Sequence, residues 1–284
     1  MYTSEFDYRR ANTLAEAFEL LAQDPEAKLL AGGHSLIPAM KLRLANPSML
    51  VDISQLSELK GIGLEGEVIT IGAMVTHRNI EFSSLLKSHL PILPEAASLI
   101  GDPAVRNKGT IGGALAHADP AADYPAVMIA LDASFKLASP NGSRVLRAED
   151  FFQGLFETAL AEGEILSEIH IPLRAGYQMA YEKFAHPASR YAVVGVGVLM
   201  KTANGICQDI RVGLTGAADY ARRLNKVEDA LNGQSLSKTV TQTASQDAVD
   251  VDSLLSDNFA PSDYRQHLLT VICSRALNRA AQLS

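Results

Sequence analysis

The stretch AKLLAGGHSLIP, Ala27 to Pro38, runs an apolar, strand-like segment into two adjacent glycines, a histidine and a serine before a proline. A dinucleotide-binding turn requires G-x-G-x-x-G, whereas these glycines are adjacent and Pro38 follows closely. A P-loop requires Gly-Lys followed by Ser or Thr, which is absent here. The hydrolase elbow G-x-S-x-G is half present in Gly33-His34-Ser35, but Ile37 stands where its last glycine belongs. Two readings remain. The glycines make a turn between elements, for which glycine is the default residue, or they shape a concavity of backbone amides that cradles an anion. Adjacent glycines can alternate between left- and right-handed conformations, point consecutive N–H groups the same way, and let a phosphate approach unobstructed by a Cβ.

A second stretch, Gly109-Thr110-Ile111-Gly112-Gly113-Ala114, repeats the pattern, so two such nests would grip one pyrophosphate from both sides. It leads into His117-Ala118-Asp119-Pro120-Ala121-Ala122-Asp123. Two carboxylates four apart at a helix start can divide the work, one capping the helix and the other accepting hydrogen bonds from a ligand.

Composition narrows the classes. At 284 residues and 47% hydrophobic content, the chain can bury more than one core. A net charge of -7 with interspersed signs argues against nucleic acid as a partner. No N-terminal targeting segment is legible and no apolar run approaches the ~20 residues of a membrane span, so a cytoplasmic location is expected. Cys207 and Cys273 are far apart and read as small core residues. An iron–sulfur cluster held by four thiolates cannot be built from them.

Thr13 to Glu16 is a capping box that starts a helix over about 14–22. Residues 28–31, 49–53 and 68–74 read as strands, and Pro91 and Pro94 divide a helical region over 80–100. A buried helix over 124–132 precedes a hairpin over 135–147, turned at Asn141-Gly142, and a strand over 164–173. Beyond a boundary at Arg174-Ala175-Gly176, strands over 191–201 and 207–215 join through Asn204-Gly205, and helices cover about 221–231 and 262–281. The polar stretch Gly233 to Asp250 reads as a mobile connection.

Three motifs together, AGGHSLIP (Ala31 to Pro38), GDPAVRNKGTIGGALAHADPAAD (Gly101 to Asp123) and YEKFAHPASRYAVVGVGV (Tyr181 to Val198), resemble the FAD-binding medium subunit of the molybdenum hydroxylases. This is the family of the carbon monoxide dehydrogenase flavoprotein subunit and the xanthine dehydrogenase FAD domain. The resemblance covers essentially the whole chain and implies an α+β fold. A PCMH-type FAD-binding domain over about 1–175 would comprise two α+β subdomains (about 1–57 and 58–175), followed by a C-terminal domain over about 176–284 with an antiparallel sheet and helices.

The resemblance also implies a site. The backbone of Ala31, Gly32, Gly33, His34 and Ser35, and of Thr110, Ile111, Gly112, Gly113 and Ala114, would hold the pyrophosphate. Asp123 would contact the adenosine side, Lys183 would lie near the flavin, and Tyr191 close to the isoalloxazine ring. Xanthine dehydrogenases carry asparagine where Ala114 stands, so no side-chain bond is assigned there. The implied partners are a small subunit with two [2Fe-2S] clusters and a large molybdopterin subunit, assembled as a dimer of heterotrimers. Electrons would pass through FAD to oxygen, quinone or NAD.

Two rival functions remain at this stage, a self-contained FAD-dependent oxidoreductase with its own small substrate and a scaffold that has lost its flavin. Among single residues, His34 either contacts the ligand or caps the turn, and Ser35 suits a phosphate donor. His77 and His89 read as surface or packing residues, and Asp102 with Arg106 as an exposed salt bridge, while His117 and His186 fall beside the cofactor motifs.

Overall fold

The computed structural model describes residues 2–246 and 248–283. Three sheets organise it, each with its own apolar core. The first is parallel. Its strands β1 (Asp7–Arg10), β2 (Lys28–Leu30) and β3 (Met49–Asp52) lie in the order β1-β3-β2, with α1 (Leu14–Gln23) and α2 (Leu36–Lys41) in the connections. The predicted cap forms, since Thr13 Oγ1 accepts the Glu16 amide, and α1 stops one residue later than expected, before Pro25. The Glu16 carboxylate reaches past the cap to the Asn12 amide.

The second sheet is antiparallel, in the order β4-β5-β10-β6-β7, formed by β4 (Ile62–Glu65), β5 (Val68–Gly72), β6 (Ser134–Ser139), β7 (Gly142–Arg147) and β10 (Ile165–Pro172). Between β5 and β6 run six short helices: α3 (His77–Phe82), α4 (Ser84–His89), α5 (Ile92–Leu99), α6 (Pro103–Lys108), α7 (Ile111–His117) and α8 (Asp123–Ala130). Pro91 takes the N-cap of α5 and Pro94 its first turn, where a missing N–H costs nothing. A short α9 (Ala148–Phe151) and the small hairpin of β8 (Phe152–Gly154) and β9 (Glu157–Thr158) follow β7. The β6–β7 turn falls at Pro140-Asn141, one residue before the predicted pair. The ring of Pro140 fixes a negative φ, so only Gly142 is left-handed there (φ 130°).

The third sheet, β11-β12-β13-β14, is antiparallel and comprises β11 (Tyr177–Ala185), β12 (Ala192–Ala203), β13 (Ile206–Thr215) and β14 (Arg222–Arg223). Its β12–β13 turn is the one predicted, with Asn204 and Gly205 both left-handed. Helices α10 (Asn225–Leu231), α11 (Lys238–Gln246) and α12 (Ser262–Ala280) belong to this sheet's core. Half of the expected mobile connection from Gly233 to Asp250 is therefore helix α11, because Thr241 and Ser245 turn inward against α12, where Thr241 Oγ1 donates to Asn278. Asp247 lies outside the described residues. Helix α8 is buried over its whole length, packed against β12 and β13 and continuous with the second sheet's core, so it ties the second and third units together.

Candidate functional site

The first glycine pair leaves β2 at the edge of the parallel sheet and enters α2. Gly33 has φ +73°, a conformation that a residue with a Cβ adopts only under strain. Gly32 serves a different purpose: an added Cβ would lie 2.3 Å from the Lys108 carbonyl oxygen and 2.7 Å from the Gly109 Cα. It lets the N-terminal unit rest on the segment before α7. Among the described residues no acceptor meets the amides of Gly32, Gly33, His34 and Ser35, and the Ser35 hydroxyl makes no cap bond. His34 is exposed and Ser35 half-buried. Four unpaired amides and a free hydroxyl around a left-handed glycine form a site that an anion would complete.

The second pair departs from the expectation of a matching nest. Gly112 and Gly113 lie in the first turn of α7, and neither has a positive φ. The local amides are already used. Ile111 N donates to Val75 O (3.0 Å), Gly112 N to Ala73 O (2.9 Å), Gly113 N to the Thr110 hydroxyl (3.1 Å) and Ala114 N to Thr110 O (3.0 Å). Ile111 is a core residue, and Gly112 exists for close packing, since its Cβ would lie 2.4 Å from the Ala73 Cβ. Gly113 and Ala114 are part-exposed, and a Cβ on Gly113 would stand 3.6 Å from that of Ala31. The two stretches thus face each other, one offering amides and the other a surface with almost no side chain.

Asp123 and Lys183 are also placed otherwise than expected. Lys183 Nζ lies 2.9 Å from Asp123 Oδ1, and only 3% and 6% of the two side chains are exposed. Tyr181, which sequence reading passed over, donates its hydroxyl to the same carboxylate at 2.6 Å. The ammonium also donates to Leu99 O (3.1 Å) and Arg190 O (2.8 Å). As drawn by the resemblance, these side chains reach a cofactor; in the fold they are turned to one another. Burial pushes the Asp123 carboxyl up against the opposing pull of Lys183 and Tyr181, and pushes the Tyr181 phenol well up. Asp119 accepts the Ala121 amide at 2.9 Å.

Tyr191 closes a compact loop over 186–191, in which His186 N donates to Tyr191 O and Arg190 N to His186 O, both at 2.8 Å. The residue is 44% exposed. The next residue, Ala192, donates to Ala121 O, so this loop borders the segment between α7 and α8. Burial first, then Asp119 and Asp123, raise the Tyr191 phenol. His186 Nδ1 accepts amides of its own loop and the ring packs at a tilt against Phe259, while His117 packs at a tilt against Phe156.

Asp102 and Arg106 do not pair. Asp102 caps α6 through the Ala104 and Val105 amides, and Arg106 bonds Glu81 at 2.8 Å. Burial pushes the Cys207 thiol up to about 11 and the Cys273 thiol up to about 12, as suits inert core cysteines. Among the described residues no cluster could hold a metal ion and no helix is long and apolar enough to cross a membrane.

Residues 4–174 match the family model of the FAD binding domain in molybdopterin dehydrogenase, and residues 179–280 match that of the CO dehydrogenase flavoprotein C-terminal domain. The chain belongs to the FAD-binding medium subunits of the molybdenum hydroxylases. This medium subunit is 40% identical over 282 residues to the carbon monoxide dehydrogenase medium chain of Hydrogenophaga pseudoflava, covering 99% of this chain and 98% of that one. It is 30% identical to the xanthine dehydrogenase FAD-binding subunit of Escherichia coli O157:H7, over 96% and 95% of the two chains. Among solved structures, quinoline 2-oxidoreductase from Pseudomonas putida 86 superposes with a TM-score of 0.94 at 34% identity, over 99% of each chain. The α+β fold and FAD as the cofactor of this medium subunit agree with the sequence reading.

Proposed function

We propose that this medium subunit binds FAD across the facing stretches Ala31–Ser35 and Thr110–Ala114 and passes electrons from a partner's [2Fe-2S] clusters to an external acceptor. The observation that carries the placement is the run of unpaired amides at Gly32–Ser35 around Gly33, opposite the nearly side-chain-free Gly113 and Ala114. The amides and the Ser35 hydroxyl would hold the pyrophosphate, His34 stands at the rim, and Tyr191 would cover one face of the isoalloxazine ring. Asp123 and Lys183 would act from behind, fixing the walls of the site rather than touching adenosine or flavin. When bound, FAD supplies the exchange between one-electron and two-electron traffic.

The donor clusters and the molybdopterin would sit on a small and a large subunit, in a dimer of heterotrimers located in the cytoplasm, because this chain's two buried cysteines cannot ligate a cluster. The large subunit would choose the substrate, and oxygen, quinone or NAD would accept the electrons. The test is the visible spectrum of the purified chain with FAD after removal of free flavin, followed by denaturation to release what is bound. Near-stoichiometric FAD without iron is expected. A chain, and an assembled complex, that both lack flavin would refute the assignment. Tyr191→Ala is expected to retain FAD and raise its fluorescence, since the stacked phenol that quenches the ring is gone; an unchanged emission and midpoint potential would remove Tyr191 from the ring.

A further inference from the structure

We infer that Lys183 is a positioning residue that ties the Tyr191 loop to the end of α5 and the start of α8, and through them sets how Tyr191 meets the flavin; this rests on the FAD site proposed above. An ammonium has three hydrogens and no acceptor. Those of Lys183 go to the Asp123 carboxylate at the start of α8, to Leu99 O at the end of α5, and to Arg190 O in the Tyr191 loop. None remains for a flavin oxygen unless one of these bonds breaks. The residue stands on β11 of the third sheet, and two of its three partners belong to the second unit, so it crosses the junction at which Tyr191 stands.

A second contact follows the same line. The Arg190 side chain lies across Gly101, so closely that a Cβ there would stand 2.7 Å from Arg190 Cδ. Arg190 itself has φ +62°, an uncommon conformation for an arginine, and its carbonyl is the one that Lys183 holds. Within the loop over 186–191, His186 bonds Tyr191 and Arg190 bonds His186, and the His186 ring packs on Phe259 of the third unit; these contacts shape the loop and leave its placement against the second unit to others. The placement comes from Lys183, from Arg190 on Gly101, and from Ala192 N on Ala121 O. Removing the ammonium removes the tether that joins Arg190 O to the end of α5 and to the start of α8 together.

Lys183→Met in the full-length chain tests this, with Asp123→Asn/Lys183→Met as a second variant that leaves no buried carboxylate unpaired. The first readout needs no cofactor. Hydrogen exchange of the amides of His186, Arg190 and Tyr191 is expected to quicken at least about tenfold in both variants, because their loop loses its anchor. The second is the visible circular dichroism of bound FAD. Both variants are expected to shift it as Tyr191→Ala does, and adding Tyr191→Ala to Lys183→Met is expected to shift it little further, as coupled positions behave. Unchanged exchange over 186–191 overturns the inference whether or not FAD is bound, and so does a Tyr191→Ala effect of full size in the Lys183→Met background. Wild-type chain that binds no FAD in any assembly but shows the exchange difference would refute the site assignment and leave the tether standing.

Discussion

Gly113→Val is expected to give a folded medium subunit that binds little or no FAD, whereas Gly112→Val is expected to damage the fold itself. The two residues are neighbours in one helical turn and identical in letter, yet they look in opposite directions. A Cβ at Gly112 would sit 2.4 Å from the Ala73 Cβ and 2.7 Å from the Ala73 carbonyl oxygen, which is backbone directly after β5 and cannot swing aside. The helix would have to lift from the strand end, breaking the Gly112-to-Ala73 and Ile111-to-Val75 hydrogen bonds that seat it. Overpacking of this kind costs about 3 kcal/mol or more, a large share of the ~5–15 kcal/mol that holds a domain together. At Gly113 the Cβ would meet only the Thr110 hydroxyl at 2.9 Å and stand 3.6 Å from the Ala31 Cβ. The fold loses at most the Thr110 cap, about 1 kcal/mol, but the valine methyls fill the gap between the two stretches where the pyrophosphate is proposed to lie. Urea midpoints and the flavin released on denaturation separate the effects. Gly113→Val with stoichiometric FAD would move the cofactor elsewhere, and Gly112→Val with wild-type stability would contradict the close approach to Ala73.

That difference could not be read from the letters. The sequence offers two glycine pairs, each after an apolar residue and before a small one, and the natural reading is two equivalent nests. What separates them is the carbonyls of Ala73 and Val75, some forty residues upstream of the second pair, which take the Gly112 and Ile111 amides, whereas four consecutive amides of the first stretch stay open. Local chemistry was legible where it is local. The Thr13 cap, the Asn204-Gly205 turn and the proline-interrupted helices follow from neighbours within a few positions. Strand β1, with the sequence DYRR, has neither alternation nor apolar content and exists because its backbone finds β3. Helix α11 reads as a polar linker because its inward face is made of Thr241 and Ser245. The strand β11 carried only a partial signal: Tyr177 and Met179 flank the polar Gln178, but Ala180 and Tyr181 are both buried, on opposite faces, so the alternation fails midway. The ion pair of Asp123 and Lys183 carried none: the two are joined only when α8 meets the third sheet, and a lysine and an aspartate sixty residues apart look like surface charges until then.

His77 sets the second large effect, a loss of stability in mild acid. It was expected to be a surface or packing residue and proves to be the latter. It is 5% exposed at the start of α3, with its ring 5.3 Å from that of Tyr124 and its Nδ1 without a partner among the described residues. Burial, reinforced by His34 and by Arg106, lowers its pKa from 6.5 to about 4. The acids that act on the neighbouring Tyr124, Asp123 and Glu81, are already engaged by Lys183 and by Arg106 and offer the imidazolium no free carboxylate. Above pH 6.5 the ring is neutral in both folded and unfolded chains, and its full contribution is present. As the pH falls from 6.5 towards 4 the unfolded chain takes up a proton that the folded chain refuses, so unfolding grows more favourable; below about 4 both forms are protonated and the loss levels off. The difference amounts to about 3 kcal/mol. His77→Gln keeps a polar side chain of similar reach without the titration, so the stability gap between wild type and variant is expected to shift by that amount in the variant's favour between pH 7 and pH 4. Urea titrations at several pH values measure the gap directly, and acid effects of the carboxylates, common to both proteins, cancel in it. A gap independent of pH would mean that His77 takes up its proton as readily folded as unfolded, which requires water at a ring that the fold encloses between Gly109 and Tyr124.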